Sequence, residues 1–364
     1  MKPIWIDTPA QLAEACAKWH DREWITVDTE FVRINTYRAQ LCLVQVGDDR
    51  VYACIDTLAI SDLTPLWALM HDPKVLKVLH ASGQDFELFV EHTGRTPAPV
   101  FDTQIAATLI GLGDQLGYAG LVEKRLGLPV DKSLSRTDWA RRPLTQPEID
   151  YAADDVRHLS ALYPALREEV TARGRLDWLL EDCQRLTEAT RYQVLPENAW
   201  GRLRGLNRVA PGDQVRAAAL AAWRETEAAN RNRPRKWILE DAALYRMAER
   251  NPQSLDALAA LAVLPEKSLS RHGKALIEVL AEASAQAPRE LAPPEFSGET
   301  KARFKAFQAA VREVAEALDL PPGFLAPRAD LERLTLQGGT ADVQALKGWR
   351  GAQLAAPLAA LLNT

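Results

Sequence analysis

No run in this 364-residue sequence approaches the roughly 20 apolar residues that a membrane-spanning helix needs, so no such helix is expected. The opening segment, Met1 to Asp7, lacks the apolar core and small-residue cleavage site of a signal peptide, and a cytoplasmic protein is expected. Cysteine is scarce: Cys16, Cys42, Cys54 and Cys183 form no Cys-x-x-Cys pair and sit at no zinc-ligand spacing beside the six histidines. They read as buried thiols in a reducing compartment. Positive charge is also short. A net charge of −5 offers no global attraction to nucleic acid, so such binding must come from a local concentration of Lys and Arg or from metal ions bridging to phosphate. Gly111 to Gly117 is glycine-rich but lacks the strand, spacing and distal acid of a dinucleotide fingerprint, and no nucleotide cofactor is expected. His80, His92 and His158 form no metalloprotease arrangement.

What is present exceeds one hydrophobic core, and the length alone predicts two or three domains. An amphipathic helix is predicted over Thr8 to His20 behind a capping candidate at Asp7. Strands are predicted at Trp24 to Asp28, Gln40 to Val46 and Arg50 to Ile55, the last two pairing as an antiparallel hairpin across a short turn. Helix and strand then alternate: Ser61 to His71 helical, Val75 to His80 extended, Asp85 to His92 helical, Val100 and Phe101 extended, Thr103 to Ile110 helical. This is a mixed sheet in an α/β core with helices on both faces.

Beyond about Thr145 almost no strand pattern remains. Pro196, Gly201, Gly205, Pro211 and Gly212 predict one linker, and Ala287 through Pro293, Pro294 and Gly298 a second. Each precedes an Ala- and Leu-rich stretch the size of a small helical domain, without the short tandem period of a solenoid. The predicted domains are 1–200, 201–290 and 295–364.

Three segments carry carboxylates. Asp28 and Glu30 follow an apolar strand and share one side of an extended backbone, about 6 to 7 Å apart. Two anions that close raise each other's proton affinity unless a cation sits between them. Alone, the pair is equally explained by a strand end meeting solvent. Asp85 follows a strand and a small-residue turn at a helix start, where capping would also account for it. Tyr151 and Asp155 lie one helical turn apart, and Asp154 points elsewhere.

Together these segments resemble the three ordered motifs of the DEDD exonucleases, and Tyr151 marks the tyrosine branch. Phe31, Tyr37 to Val46, Phe101 to Gln104, and Asp131 to Trp139 resemble the ribonuclease D family in particular. The segment from about Ala217 to Val279 resembles the helicase-and-ribonuclease-D C-terminal (HRDC) domain. The last segment, with Leu318 to Pro322 and Arg328 to Leu331, resembles a degenerate second copy.

The resemblance implies a ribonuclease-H-like mixed five-stranded sheet followed by two small all-α, HRDC-like domains. It also implies two divalent metal ions, Mg²⁺ or Mn²⁺, and removal of nucleotides from RNA with a free 3′ end, transfer-RNA precursors being the expected substrate. By the same resemblance Asp28 bridges the ions, Glu30 and Asp155 complete the nucleophile side, Asp85 serves the leaving-group side and Tyr151 orients the attacking water. Lys132, Arg136 and Trp139 are candidates for lining the path of the RNA end, against an ordinary loop folded onto the core. Arg231, Arg233, Arg235 and Lys236 set four cations beside Trp237, suited to phosphate contact and stacking, or else to a solvated helix end. A DNA exonuclease of the same superfamily and a non-catalytic RNA-binding module are the competing functions. The full carboxylate set argues against the second.

Overall fold

The computed structural model describes residues 2–131, 133–292 and 295–362, which form two compact units. The first unit comprises residues 1–32, 41–193 and 297–364, and the second 33–40 and 194–296. In the first unit the order is β1 (Ile4–Ile6), α1 (Pro9–Trp19), β2 (Trp24–Val32), β3 (Gln40–Gly47), β4 (Tyr52–Asp56), α2 (Thr64–Met70), β5 (Leu76–Leu79), α3 (Gly83–Thr93), β6 (Val100–Asp102), α4 (Thr103–Leu109), α5 (Tyr118–Leu126), α6 (Gln146–Ala172) and α7 (Leu176–Leu186). The strands lie in the sheet order β1-β4-β3-β2-β5-β6. β3 and β4 pair antiparallel, as the predicted hairpin requires, whereas β1 with β4, β2 with β5 and β5 with β6 are parallel.

Two expectations are corrected here. The sheet has six strands and not five, because Ile4–Ile6 adds an edge strand in register with Ala53 to Ile55. The cap of α1 is Thr8 and not Asp7: the Gln11 amide N–H donates to the Thr8 hydroxyl, while the Gln11 side-chain oxygen accepts from the Thr8 backbone N–H.

β2 and α6 carry most of the candidate site, and they are tied together. The Thr26 hydroxyl donates to the Val156 carbonyl at 3.0 Å and lies 3.1 Å from the Ser160 hydroxyl. Gly47 allows the close approach. A Cβ there would sit 2.7 Å from Tyr52 Cδ1, 2.9 Å from Thr26 Oγ1 and 3.3 Å from Val156 Cβ. Gly47→Ala is therefore expected to destabilise the protein by about 1–3 kcal/mol through overpacking. Urea unfolding reads the change, and an unaltered midpoint would mean that the strands and α6 yield freely.

The second unit is helical, with α8 (Pro211–Arg231), α9 (Arg235–Ile238), α10 (Asp241–Arg250), α11 (Leu255–Ala260) and α12 (Glu266–Ser284). Its core includes Ala199, Leu203 and Leu206. The stretch expected as a linker from Pro196 is thus short 3₁₀ turns packed into this unit, and the chain enters it at Val194 and not near residue 201. Residues 33–40 also belong to it: the backbone N–H groups of Tyr37 and Arg38 donate to Asn232 Oδ1 at 3.1 and 2.9 Å. Pro293 and Pro294 of the second expected linker lie outside the described residues.

The last helices, α13 (Gly298–Ala317), α14 (Pro322–Leu325), α15 (Arg328–Gln337) and α16 (Gly348–Leu362), are part of the first unit. Trp349 stacks on Trp178 of α7 with ring centres 4.5 Å apart, and the Arg350 guanidinium is held by Asp182 of α7.

Candidate active site

β2 does not stop at Asp28 but runs on to Val32, so Asp28 and Glu30 lie inside a strand. Carboxylates in an extended run read as a strand end in sequence, but the sheet order puts β2 between β3 and β5, where pairing on both edges carries it through. Asp155 reaches the same place from α6. One carboxylate oxygen from each of Asp28, Glu30 and Asp155 lies within 4.8 Å of the others. Asp85 sits in the first turn of α3, buried, and accepts a short hydrogen bond from the Thr29 hydroxyl.

The turn that delivers Asp85 is fixed by Asp102. Its carboxylate accepts from Ala81 N at 3.2 Å, from Ser82 N at 3.0 Å and from Ser82 Oγ at 2.9 Å, and it also caps α4 through Gln104 N at 2.8 Å. Ala81 has φ of 53°, a left-handed conformation that these bonds hold in place.

The electrostatics are those of uncompensated anions. Burial is the largest influence on Asp28, followed by Asp155, Asp85 and Glu30, and together they hold its carboxyl well above the ordinary range. Burial and then Asp155 and Asp85 push Glu30 up to about 9. Asp155 rises to about 7 and Asp85 to about 6, each mainly through burial. The strongest charges acting on Asp28 are all negative, and the Thr29 backbone N–H opposes them only in part. A converging set of hard carboxylate oxygens in that condition fits a divalent cation of the hard class.

Tyr151 stands at the rim, its ring 6.2 Å from Trp139 at an interplanar angle of 26°. Burial and then Asp155, Glu30 and Asp28 keep its hydroxyl protonated. Trp139 is itself buried among Cys42, Cys54, Leu144 and Ala152. It is therefore core packing behind Tyr151, as an ordinary folded loop would be, and offers no face to a passing RNA. Arg142 anchors that loop by donating to both Asp56 oxygens at 2.7 Å and to the Cys42 carbonyl at 2.8 Å.

Sequence reasoning missed Tyr118. Its hydroxyl lies 3.1 Å from the carbonyl oxygens of Asp154 and Asp155 and from His158 Nδ1, tying the start of α5 to the turn of α6 that bears Asp155. No local pattern marks it. Asp102 was more accessible, since an Asp between a strand and a helix is a capping signal.

Comparison with known proteins agrees with this geometry. The 3′-5′ exonuclease family profile matches residues 3–171, and the HRDC domain profile matches residues 213–280. Ribonuclease D of Nitrobacter hamburgensis is 39% identical over 350 residues, 95% of this chain and 91% of that one. Ribonuclease D of Pseudomonas paraeruginosa is 36% identical over 95% of this chain and 94% of its own. The chain belongs to the ribonuclease D family. The crystal structure of Escherichia coli RNase D superposes with a TM-score of 0.89 at 32% identity, covering 100% of this chain and 99% of that one. As a ribonuclease D it is a 3′-to-5′ exoribonuclease, with an α/β nuclease core and an all-helical HRDC domain.

Lys132 lies outside the described residues, and Arg136 is exposed. In the second unit, Arg235 donates to both Glu225 oxygens at 2.6 Å and lies 4.7 Å over the Tyr37 ring, so its charge is already engaged. Arg231 pairs with Glu227. Arg233 lies 5.9 Å over Trp237, which is 59% exposed, and Lys236 is exposed beside them. The four expected cations therefore reduce to an open pair, Arg233 and Lys236, next to an open indole.

Proposed function

We propose that Asp28, Glu30, Asp155 and Asp85 hold two divalent ions, Mg²⁺ or Mn²⁺, at which RNA is shortened from its 3′ end with release of nucleoside 5′-monophosphates. The observation that carries this reading is the convergence of three carboxylate oxygens within 4.8 Å. Bound there, such ions supply acidity to a water and neutralise charge on the phosphate. The chain's own residues do the positioning. Thr29 orients the Asp85 carboxyl by its hydrogen bond, and Tyr118 holds the α6 turn that presents Asp155. The Tyr151 hydroxyl, kept protonated, donates a hydrogen bond and serves as an orienting group for the attacking water, not as a base.

Transfer-RNA precursors are the proposed substrates, and a cytoplasmic setting is the proposed compartment. Among the described residues no helix is long and apolar enough to cross a membrane. A nuclease module, the helical unit that begins at Val194 and a last module from about residue 297 are proposed as the three parts, the last a diverged HRDC copy packed with the nuclease. Arg136, Arg233 and Lys236 are proposed RNA contacts.

Tyr151→Phe is expected to slow single-turnover hydrolysis by about 10² to 10⁴-fold while metal affinity holds, since it deletes one hydrogen bond and no carboxylate. An unchanged rate would remove Tyr151 from the site. Turnover of matched RNA and DNA oligonucleotides and of a transfer-RNA precursor tests the substrate. The RNAs should be shortened and the DNA largely spared. Equal turnover of DNA would favour a DNA exonuclease, and no turnover with either metal a non-catalytic role.

A further inference from the structure

A cavity of about 630 Å³, lined by none of the four site carboxylates, opens within the first unit between α4 and α7 on one wall and α14, α15 and α16 on the other. Four arginines line it: Arg185, Arg191, Arg328 and Arg350, of which Arg328 is paired with Glu332 at 2.7 Å. Against them stand two lining carboxylates, Asp114 and Asp330. Asp330 is partly occupied, because its Oδ2 accepts from Ala345 N at 2.9 Å. Behind the wall, Asp182 is shared. It takes both terminal nitrogens of Arg350, lies 3.5 Å from Arg185 and accepts from the Trp349 indole at 3.3 Å.

One buried carboxylate thus serves two guanidiniums, and Arg185 Nε has no hydrogen-bond partner. Burial, Arg350 and Arg191 lower the proton affinity of Arg185 in spite of Asp182. Four guanidiniums on the walls of one cavity are a local concentration in a protein whose net charge is −5. Forked guanidiniums fit the oxygens of a phosphate bidentately. The Gln104 side chain, which donates to the Leu116 carbonyl at 3.2 Å, the Gln115 side chain and the Phe324 ring, with the Arg350 guanidinium 4.9 Å over it, lie on the same walls as further polar and aromatic groups. None of these residues belongs to the carboxylate site, and the hydrolysis described above uses none of them.

We propose that this cavity is a second, non-catalytic site that takes a phosphate group, carried either by a free nucleotide or by the backbone of RNA. The test uses the full-length protein in EDTA, where binding is read without hydrolysis, with adenosine 5′-monophosphate and a single-stranded oligoadenylate as probes. Arg191→Gln combined with Arg328→Gln removes two exposed cations and leaves the Asp182–Arg350 pair intact. It should weaken at least one probe by about tenfold. Weaker nucleotide binding assigns the site to free nucleotides. Weaker oligoadenylate binding alone, with a salt dependence flattened by about one unit for each lost contact, assigns it to the RNA backbone. Asp114→Asn removes an opposing charge and should tighten the same probe, a gain that misfolding would not produce. Wild-type affinities and salt slopes for both probes in the double variant, or no tightening in Asp114→Asn, would overturn the proposal.

Discussion

Asp28→Asn is expected to abolish hydrolysis while leaving a folded protein whose metal-free form melts no lower than the wild type at pH 8. Both halves come from the same electrostatics. In the metal-free protein Asp28 is opposed by burial, Asp155, Asp85 and Glu30, so removing its charge deletes repulsion from the folded state. The sign follows from proton binding. Glu30 has a folded value of about 9 against 4.5 for an ordinary glutamate, so between those limits the folded protein binds more protons than the unfolded chain. Stability of the metal-free wild type should therefore fall as pH rises from about 4.5 towards about 9, and level off beyond. The slope should be shallower in Asp28→Asn. Divalent metal should raise the wild-type melting temperature by binding the folded state alone, and should raise that of the variant little. Thermal melts across pH, with and without Mn²⁺, read every element. A variant that kept near-normal turnover, or one that lost its fold along with its activity, would contradict the assignment of Asp28.

A comparably large effect on stability is expected far from the chemistry, in Asp182→Asn. Asp182 and Arg350 are 5% and 7% exposed, and they join α7 to α16 through two charge-assisted hydrogen bonds. Neutralising Asp182 leaves Arg350 and Arg185 facing each other without a carboxylate between them. Breaking a buried pair in this way costs about 3–5 kcal/mol, because the surviving charge stays desolvated. The companion variant Arg350→Met should cost less, since Arg185 lies 3.5 Å from the remaining carboxylate. Combining the two should restore part of the loss. Denaturant unfolding of the four proteins measures this directly, and strict additivity of the two single costs would show that the pair is not coupled. The same contacts bear on truncation. Ending the chain near Arg202 would keep every proposed catalytic residue but strip Trp349 and Arg350 from α7, so the shortened nuclease should be markedly less stable.

The carboxylates were legible because each motif is local: Asp28 with Glu30 on one strand, Asp85 at one helix start, Tyr151 with Asp155 one turn apart. The hairpin and the helical second half were legible for the same reason, a short-range period. What was not legible depends on partners distant in sequence. β1 has three residues, too few for an alternation to register, and becomes a strand only through Ala53 to Ile55. Trp139 sits in a cation-bearing loop that suggested exposure, but Arg142 draws that loop onto Asp56. Residues 33–40 join the helical unit because Asn232 accepts from Tyr37 and Arg38, nearly two hundred positions away. Arg235 read as a free cation, yet Glu225, ten residues earlier on the preceding helix, holds it. Charge that sequence shows as available is often already engaged by the fold.

The Asp28, Glu30 and Asp155 cluster is proposed to be a divalent-metal centre that cuts RNA from its 3′ end. It is tested most directly by following one 5′-labelled single-stranded RNA under single-turnover conditions, in EDTA and after adding Mg²⁺ or Mn²⁺, with wild-type protein and Asp28→Asn. The expected result is a ladder that shortens one nucleotide at a time from the 3′ end, with mononucleotide 5′-phosphate as product, only in wild-type protein and only with metal. Hydrolysis that persists in EDTA, internal cuts, or an equal ladder in Asp28→Asn would contradict it.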